Sequence, residues 1–283
     1  MHPIIYLNRN MVEATKARIA PVSSALLYGR GVFTTVAIYG GRPFLWHEHW
    51  ARLMDHADRA RVDRSAFEEG AVATCLKKLI AVNRVQDGRA RVVLLMSRGR
   101  EVWNVKGATT RKTDLLMMTG EARTVPAEGL TLTVSPYRIN SVSPIAGVKS
   151  TSALERVLGW EEARARDFHE AVMLNERGEL VAGTMANLFW VREGTVHTPS
   201  LASGAVAGVT RARTITLANE VSIPLVEGVY DLNDLGDAEE VFLTSAGLGV
   251  AAVTTYDFHR YAVNVGSVTT ILREAFRQLT LRV

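Results

Sequence analysis

The stretch AGVKSTSALERVLG, residues 146–159, contains the last lysine of the chain. From Arg156 to Arg282 the chain has eleven arginines, so positive charge is supplied there without lysine. An arginine keeps its proton in a protein, whereas a lysine amine can lose its proton and attack a carbonyl group. Lys149 is therefore a candidate nucleophile, although a lone lysine in a chain with six is by itself more typical of a solvated side chain.

The composition is that of an ordinary globular protein, long enough for two domains or one large one. Of the 283 residues, 47% are hydrophobic and 22% are charged, and the net charge is +4. The basic residues are dispersed, which favours a small anionic ligand over nucleic acid. A single cysteine, Cys75, fits a reducing compartment. The sequence has no secretory-signal pattern and no apolar run long enough for a membrane span, so we expect a cytoplasmic protein.

Strand-like and helix-like segments alternate along the chain, which predicts an α+β fold in two lobes. The segment HEHWARLMDHADRA, residues 47–60, has apolar residues at steps of three and four, which predicts a helix with one buried face. The polar stretch EARTVPAEG, residues 121–129, is the best linker. We therefore expect a smaller N-terminal lobe over residues 1–120 and a larger C-terminal lobe over residues 130–283.

Within the C-terminal half, the patterns predict two hairpins and three helices, the last of them the terminal segment SVTTILREAFRQL, residues 267–279. EAVMLNERGELVAG turns at Arg-Gly and MANLFWVREGTVHTP turns at Glu-Gly, both typical of β-hairpins. The lysine segment is followed by a predicted helix over about residues 151–166, and another helix begins near Thr210.

Several further segments are compatible with anion binding, each with an ordinary structural explanation. Gly-Val-Thr at residues 208–210 opens a helix, where free amides suit a phosphate, but the same letters make a plain helix cap. The small-residue turn LTSAGLG, residues 243–249, allows close backbone approach. Arg52 can grip phosphate oxygens, although a surface arginine is the default. His47 and His49 point in different directions on a helix, so no shared metal is expected.

Taken together, these segments resemble the fold-type IV pyridoxal-phosphate enzymes, the class IV aminotransferase family. This family contains the D-amino-acid and branched-chain transaminases and aminodeoxychorismate lyase. The segments that carry the resemblance, in the family's order, are YGRGVFTT, HEHWARL, SRG, AGVKSTSALERVL, MANLFWVREGTVHTP, GVTR and the turn after VFLTS. The resemblance implies a D-amino-acid-transaminase-like architecture, with a larger C-terminal cofactor-binding lobe of mixed sheets and a barrel-like core, and a homodimer.

The resemblance also implies a role for particular residues toward pyridoxal 5'-phosphate. Lys149 would form a Schiff base with the cofactor aldehyde and later move the proton. The phosphate would be held by Arg52, by the helix-end amides of Val209 and Thr210, and by the turn at Ser245 and Ala246. In the transaminases a threonine commonly stands where this chain has Ala246, so one hydroxyl contact is expected to be missing.

Within the family, Phe-Thr-Thr at residues 33–35, AGVK followed by ALERVL, and ANLFW resemble the lyase most. That enzyme converts 4-amino-4-deoxychorismate, a small anionic amine, to pyruvate and the folate precursor 4-aminobenzoate. Arg98 matches a position that binds substrate carboxylate in some relatives, and we extend this role to Arg100. Arg30, which replaces the aspartate of the usual Gly-Asp-Gly, is a third candidate for substrate binding. A D-amino-acid or branched-chain transaminase is the alternative.

One position departs from the family pattern. A glutamate five residues before Asn-Leu-Phe pairs with the pyridine nitrogen of the cofactor in the family, and counting back from Asn187 gives Ala182. Glu179 lies three residues earlier and, in a strand, would point to the opposite face. Our hypothesis is that the missing carboxylate favours elimination over transamination, or low activity altogether. A cofactor-binding protein with weak or lost catalysis is a further alternative.

Overall fold

The computed structural model describes residues 1–98, 112–261 and 263–282, and it contains two compact units. The first unit comprises Met1–Arg123 together with Val148–Ser152, and the second comprises Thr124–Gly147 and Ala153–Arg282. Each unit combines a sheet with helices, which confirms the α+β class. Among the described helices, none is both long and apolar enough to span a membrane.

The described residues of the first unit form a six-stranded antiparallel sheet and three α-helices. The strands are β1 (Ile4–Leu7), β2 (Asn10–Glu13), β3 (Gly31–Tyr39), β4 (Arg42–Pro43), β5 (Gly88–Arg98) and β6 (Lys112–Glu121), and the helices are α1 (Ser24–Tyr28), α2 (Trp46–Arg59) and α3 (Glu69–Val82). The strand order is β2-β1-β6-β5-β3-β4. Antiparallel neighbours joined in this way expose alternate residues of each strand on the two faces of the sheet.

The core of this unit lies between one face of the sheet and helices α2 and α3. On β3 the inward positions are fully buried: Val32, Thr34, Val36 and Ile38. On α2, the predicted apolar face is confirmed, because Trp50, Leu53, Met54 and Ala57 all belong to the core. Phe33 alternates with the inward residues of β3 and therefore points to the other face of the sheet.

The lysine segment is paired with the beginning of β3. The amide of Phe33 donates to the carbonyl of Lys149 at 2.9 Å, and the amide of Thr151 donates to the carbonyl of Gly31 at 2.9 Å. A Cβ at Gly31 would lie 2.9 Å from Oγ1 of Thr151 in the lysine segment and 2.8 Å from the carbonyl oxygen of Leu94 on β5, so the close approach of these segments requires glycine. The following helix begins at Leu154, three residues later than predicted, because residues 149–151 pair with β3.

The second unit is built on a nine-stranded mixed sheet. Its strands are β7 (Leu130–Ile139), β8 (Glu170–Asn175), β9 (Leu180–Gly183), β10 (Asn187–Arg192), β11 (Thr195–Pro199), β12 (Leu225–Gly228), β13 (Glu240–Ser245), β14 (Gly249–Tyr256) and β15 (His259–Arg260), and its helices are α4 (Leu154–Ala165), α5 (Val209–Glu220), α6 (Leu232–Gly236) and α7 (Val268–Thr280). The strand order is β12-β11-β10-β13-β14-β7-β8-β9, with β15 beside β14. Strand β9 also lies against β10 and β11, so the sheet curls back on itself, as a barrel-like core requires.

Both predicted hairpins are present in the second unit. Strands β8 and β9 flank the Arg-Gly turn, and β10 and β11 flank the Glu-Gly turn. Gly178 and Gly194, the glycines of these turns, have φ angles of 81° and 70°, which glycine adopts without strain. Helix α5 begins at Val209, directly after a glycine, and packs against β13 and β14.

Candidate functional site

The side chain of Lys149 lies beside an aromatic ring in the first unit. Its Nζ is 4.6 Å from the ring centroid of Phe33, and the guanidinium carbon of Arg91 is 3.6 Å from the same centroid. A cation near the face of an aromatic ring is attracted by the ring quadrupole. Burial, followed by the charge of Arg89, lowers the pKa of Arg91. Sequence reasoning missed Arg91, since its proximity to Phe33 depends on the register between β3 and β5.

The backbone of Lys149 is fixed by a histidine of α2. Its N–H donates to Nδ1 of His56 at 3.1 Å. A backbone amide can only donate, so Nδ1 accepts and the neutral ring carries its proton on Nε2. Burial, and then the charges of Arg52, Arg59 and Lys149, lower the pKa of His56 to about 3. His56 is therefore a neutral acceptor that holds the candidate nucleophile in place.

Arg52 lies on the same face of α2 as His49 and His56, and between them in sequence. Spacings of three and four residues place these three side chains on one side of the helix. Arg52 Nη2 donates to Oγ1 of Thr34 at 2.8 Å, and the same oxygen is 2.8 Å from Nδ1 of His49. Burial lowers the pKa of Arg52 to about 10, so the guanidinium stays charged at neutral pH. The pKa of His49 is well below its usual range because of burial and the charges of Arg52 and Lys149.

The electrostatics of this part of the first unit suit an anion. Arg52 and Lys149 are close enough to oppose protonation of both buried histidines, His49 and His56. The histidines stay neutral, and the positive charge is concentrated on the guanidinium and the amine. An anionic group placed near them would gain favourable electrostatic energy in a site largely removed from water.

In the second unit, the start of α5 is the candidate anion site. Gly208 is the N-cap and makes no side-chain cap, so the first-turn amides of Val209 and Thr210 have no partner within the helix. A Cβ at Gly208 would lie 2.0 Å from Oδ1 of Asn187, so a side chain there would displace the helix start. Asn187 in turn donates through Nδ2 to the carbonyl of Val206 at 2.9 Å.

The small-residue turn after β13 is brought close to this helix start. Asn187 on β10 is the register partner of Thr244, the residue that precedes Ser245 and Ala246. Oγ of Ser245 accepts from the amide of Leu248 at 3.2 Å, which orders the turn. The hydroxyl of Thr244 is buried and has no hydrogen-bond partner among the described residues. The two elements that the sequence predicted as a phosphate site are therefore neighbours in the second unit.

The arginines predicted to bind substrate have different positions. Nη2 of Arg30 donates to the carbonyl of Arg61 at 3.1 Å, just beyond the C-terminus of α2, where a cation complements the helix dipole. Arg98 is exposed at the end of β5. Arg100 lies outside the described residues. The role of each arginine toward substrate stays a prediction.

Position 182, where the resemblance implies a glutamate, is apolar in this chain. Ala182 on β9 is 3% exposed and packs in a cluster with Ile139, Met173 and Ala205. Glu179 is engaged elsewhere, because its carboxylate is 2.6 Å from Nη2 of Arg177 and accepts from the side chain of Asn175 at 2.7 Å.

A second carboxylate near β9 was not foreseen from the sequence. Glu170, at the start of β8, is fully buried and accepts from the amides of Thr184 at 3.1 Å and Met185 at 3.3 Å, and from the Thr184 hydroxyl. It holds the turn that leads into Asn187. The alternation of side chains along a strand predicts which face of the sheet Glu170 lies on. It does not predict the amides that Glu170 binds, because these depend on the pairing of β8 with β9.

Known proteins are similar to this chain over nearly its whole length. The family model of amino-transferase class IV matches residues 31–256. Aminodeoxychorismate lyase of Bacillus subtilis is 28% identical, over 97% of this chain and 94% of the lyase. D-alanine aminotransferase of Listeria monocytogenes is 28% identical, over 89% of this chain and 87% of that enzyme. The crystal structure of the Escherichia coli branched-chain amino acid aminotransferase superposes with a TM-score of 0.89 at 27% identity, covering 99% of this chain and 95% of that one.

Proposed function

The chain belongs to the amino-transferase class IV family of pyridoxal-phosphate-dependent enzymes, and we propose that it is a lyase acting on 4-amino-4-deoxychorismate. The products would be 4-aminobenzoate and pyruvate, as the similarity to aminodeoxychorismate lyase of Bacillus subtilis suggests. The observation that carries the choice of a lyase is the apolar cluster around Ala182. The Phe-Thr-Thr step at residues 33–35 and the segment ANLFW support the same choice.

The residues of this chain fit a cofactor that carries an aldehyde and a phosphate. Lys149 provides an amine whose charge, like that of Arg52, acts on His49 and His56. Arg52 stays charged although its pKa is lowered by burial. In the second unit, the first-turn amides of α5 have no side-chain cap, and the buried hydroxyl of Thr244 has no partner among the residues the structure describes. Uncapped amides at a helix start and an unsatisfied donor are both features of a phosphate site.

Residues of both units would hold parts of the cofactor. Lys149 Nζ would bind the aldehyde carbon, and Arg52 would bind the phosphate. The amides of Val209 and Thr210 would donate to phosphate oxygens, as would the backbone of the turn at Ser245 and Ala246. Since Ala246 lacks a hydroxyl, its contribution is limited to its amide. When bound, the cofactor supplies an electrophile for amines and a ring that accepts electrons.

Lys149 is also the proton carrier in this proposal. Its Nζ would remove the proton from the substrate carbon that bears the amine, while the bond from the neighbouring carbon to the enolpyruvyl oxygen breaks. A proton returned to the released fragment gives pyruvate, and the remaining ring is aromatic. The two products contain all atoms of the substrate, so no oxidant or reductant is needed.

The surroundings of Ala182 favour elimination over transamination. A carboxylate at this position would stabilise a proton on the cofactor's ring nitrogen and so strengthen the ring as an electron acceptor. Ala182 and its neighbours Ile139, Met173 and Ala205 are apolar instead. Formation of an aromatic product requires less stabilisation of negative charge than transamination does, so it tolerates a weaker electron acceptor.

The direct test is to incubate the purified holoenzyme with 4-amino-4-deoxychorismate and measure 4-aminobenzoate and pyruvate. We expect equal amounts of both products, and little conversion of the cofactor to its amine form by a panel of D- and L-amino acids. Brisk conversion by an amino acid, without release of 4-aminobenzoate, would instead identify a transaminase. A cofactor-bound protein inert toward both substrate types would support lost catalysis.

The contribution of position 182 can be isolated with two variants of similar size. Ala182→Glu introduces the carboxylate, and Ala182→Gln introduces the same bulk without charge. We expect Ala182→Glu, relative to Ala182→Gln, to raise the rate of transamination more than the rate of elimination. If the unsubstituted enzyme already transaminates briskly, the argument from Ala182 is wrong.

We also propose that the chain forms a homodimer. Within and around α1, five apolar side chains are well exposed on the single chain: Ile19, Val22, Leu26, Leu27 and Tyr28. Large apolar side chains that are exposed close together in the chain are typical of an interaction surface. A second copy of the chain is the partner that the family relationship supports.

A further inference from the structure

Thr34 is a polar residue in a row of apolar ones. The inward-facing positions of β3 are Val32, Thr34, Val36 and Ile38, and all four are fully buried. Threonine and valine have almost the same shape, so valine would fill the same space. Burying a hydroxyl has a free-energy cost unless the hydroxyl is hydrogen-bonded, so the choice of threonine needs an explanation in its partners.

The partners of Thr34 give its hydroxyl a direction. Arg52 can only donate, so Oγ1 of Thr34 accepts from Nη2 of Arg52 at 2.8 Å. The hydroxyl hydrogen is then available for Nδ1 of His49, 2.8 Å away. His49 is 3% exposed, and in such a site a neutral ring that accepts at Nδ1 is favoured over a charged one. The chain of donors therefore runs from Arg52 to Thr34 to His49.

We propose that Thr34 is a positioning residue, which orients the Arg52 guanidinium for the cofactor's phosphate by accepting from Nη2 and donating to His49. The inference rests on the proposed phosphate-binding role of Arg52. One nitrogen of the guanidinium is held by Thr34, which fixes the plane of the fork. A planar donor held in one orientation binds phosphate oxygens with less loss of side-chain entropy than a mobile one.

This role differs from a contribution to folding alone. If Thr34 merely packs in the core, its replacement by valine changes the affinity for every form of the cofactor to the same extent. If Thr34 orients Arg52, the loss is confined to ligands that carry the phosphate. The comparison of pyridoxal 5'-phosphate with pyridoxal, which lacks the phosphate, separates the two possibilities.

The test measures the Kd of the apoenzyme for both ligands from the absorbance of the bound chromophore. For Thr34→Val we expect the Kd for pyridoxal 5'-phosphate to rise about tenfold, the usual effect of losing a hydrogen bond to a charged group. The Kd for pyridoxal should stay within about twofold. Thr34→Ser keeps the hydroxyl and should bind both ligands like the unsubstituted protein. Equal changes for both ligands in Thr34→Val, or no change in either, would overturn the proposal.

A measurement on the unsubstituted protein covers the case in which Thr34→Val does not fold. The ¹⁵N chemical shifts of the His49 ring report which nitrogen carries the proton. The hydrogen bonds from Arg52 to Thr34 and from Thr34 to His49 require an unprotonated Nδ1 and a protonated Nε2 on His49. A proton on Nδ1 would contradict this arrangement. Neither the Kd values nor the ¹⁵N shifts depend on the reaction that the enzyme catalyses. If the enzyme releases no 4-aminobenzoate, the proposed lyase activity is wrong, but the role of Thr34 is still tested by the two Kd values.

Discussion

Among single residues, Lys149 matters most for the proposed function, because its amine is both the nucleophile and the proton carrier. Lys149→Arg keeps a positive charge near the ring of Phe33 but removes the group that can lose a proton. We expect the catalytic rate to fall by at least about a thousandfold, because the nucleophile and the proton carrier are lost together. Lys112→Arg, at an exposed position of β6, is the matched control and should retain full activity. Substantial turnover by Lys149→Arg would contradict the assignment.

The buried histidines of α2 predict a loss of stability in acid. The pKa of His56 falls from an ordinary 6.5 to about 3 in the fold, through burial and the charges of Arg52, Arg59 and Lys149. Between these values the unfolded chain binds more protons, so the free energy of unfolding decreases as the pH drops, by about 1.4 kcal/mol per pH unit for one histidine. Above pH 6.5 this contribution is fully present.

His56→Asn tests this prediction, because the asparagine oxygen can replace Nδ1 as an acceptor without titrating. Urea unfolding of the variant between pH 6 and pH 4 should show a slope smaller by up to about 1.4 kcal/mol per pH unit. His47→Asn, at an exposed position of the same helix, is the control for the substitution itself. An unchanged slope in His56→Asn would show that His56 does not stay neutral in the fold.

Some site residues can be identified from the sequence, whereas others can be identified only from the structure. Lys149 is distinctive because it is the last lysine before a run of arginines. His56 and Thr34 carry no such signal, since their roles are defined by partners that are remote in the chain, as in the hydrogen bond between Lys149 and His56. Such pairings depend on tertiary structure, which the spacing of residues does not specify.

At the scale of the element, the start of α5 provides a prediction about cofactor affinity. In Gly208→Ala the new Cβ would lie 2.0 Å from Oδ1 of Asn187, so either the helix start or the asparagine must move. We expect the Kd for pyridoxal 5'-phosphate to rise by about tenfold or more, since the amides of Val209 and Thr210 would be displaced from the phosphate. Equilibrium binding to the apoenzyme measures this.

Gly70→Ala is the matched control for that experiment. Gly70 lies in the first turn of α3, and a Cβ there would meet no atom within 4 Å. Alanine is the better helix former, so the control should bind the cofactor normally and be stabilised by up to about 1 kcal/mol. If Gly208→Ala binds as tightly as this control, the start of α5 is not part of the phosphate site.

The elements themselves could be predicted where their signal is local. The buried face of α2 follows from apolar spacing, and the hairpins β8–β9 and β10–β11 follow from their Gly turns. The start of α4 was placed three residues early, since residues 149–151 pair with β3, far away in sequence. The position of Lys149 in the first unit has the same origin.

At the scale of the whole molecule, the exposed apolar side chains around α1 predict dimerisation. Leu26 is 58% exposed, so Leu26→Glu should leave the fold of the single chain intact. We expect light scattering to give twice the chain mass of 31.0 kDa for the unsubstituted protein and a shift toward the monomer for Leu26→Glu. Val82→Glu, at a 53% exposed position that ends α3, should remain dimeric. A monomeric unsubstituted protein would contradict this prediction.

The most direct measurement is reduction of the holoenzyme with borohydride, followed by peptide mapping. Reduction fixes a cofactor aldehyde to the amine that holds it, and the chain offers six lysines as possible sites. We expect one pyridoxyl label per chain, on Lys149. A label on any other lysine, or a holoenzyme that takes up no label, would contradict this expectation.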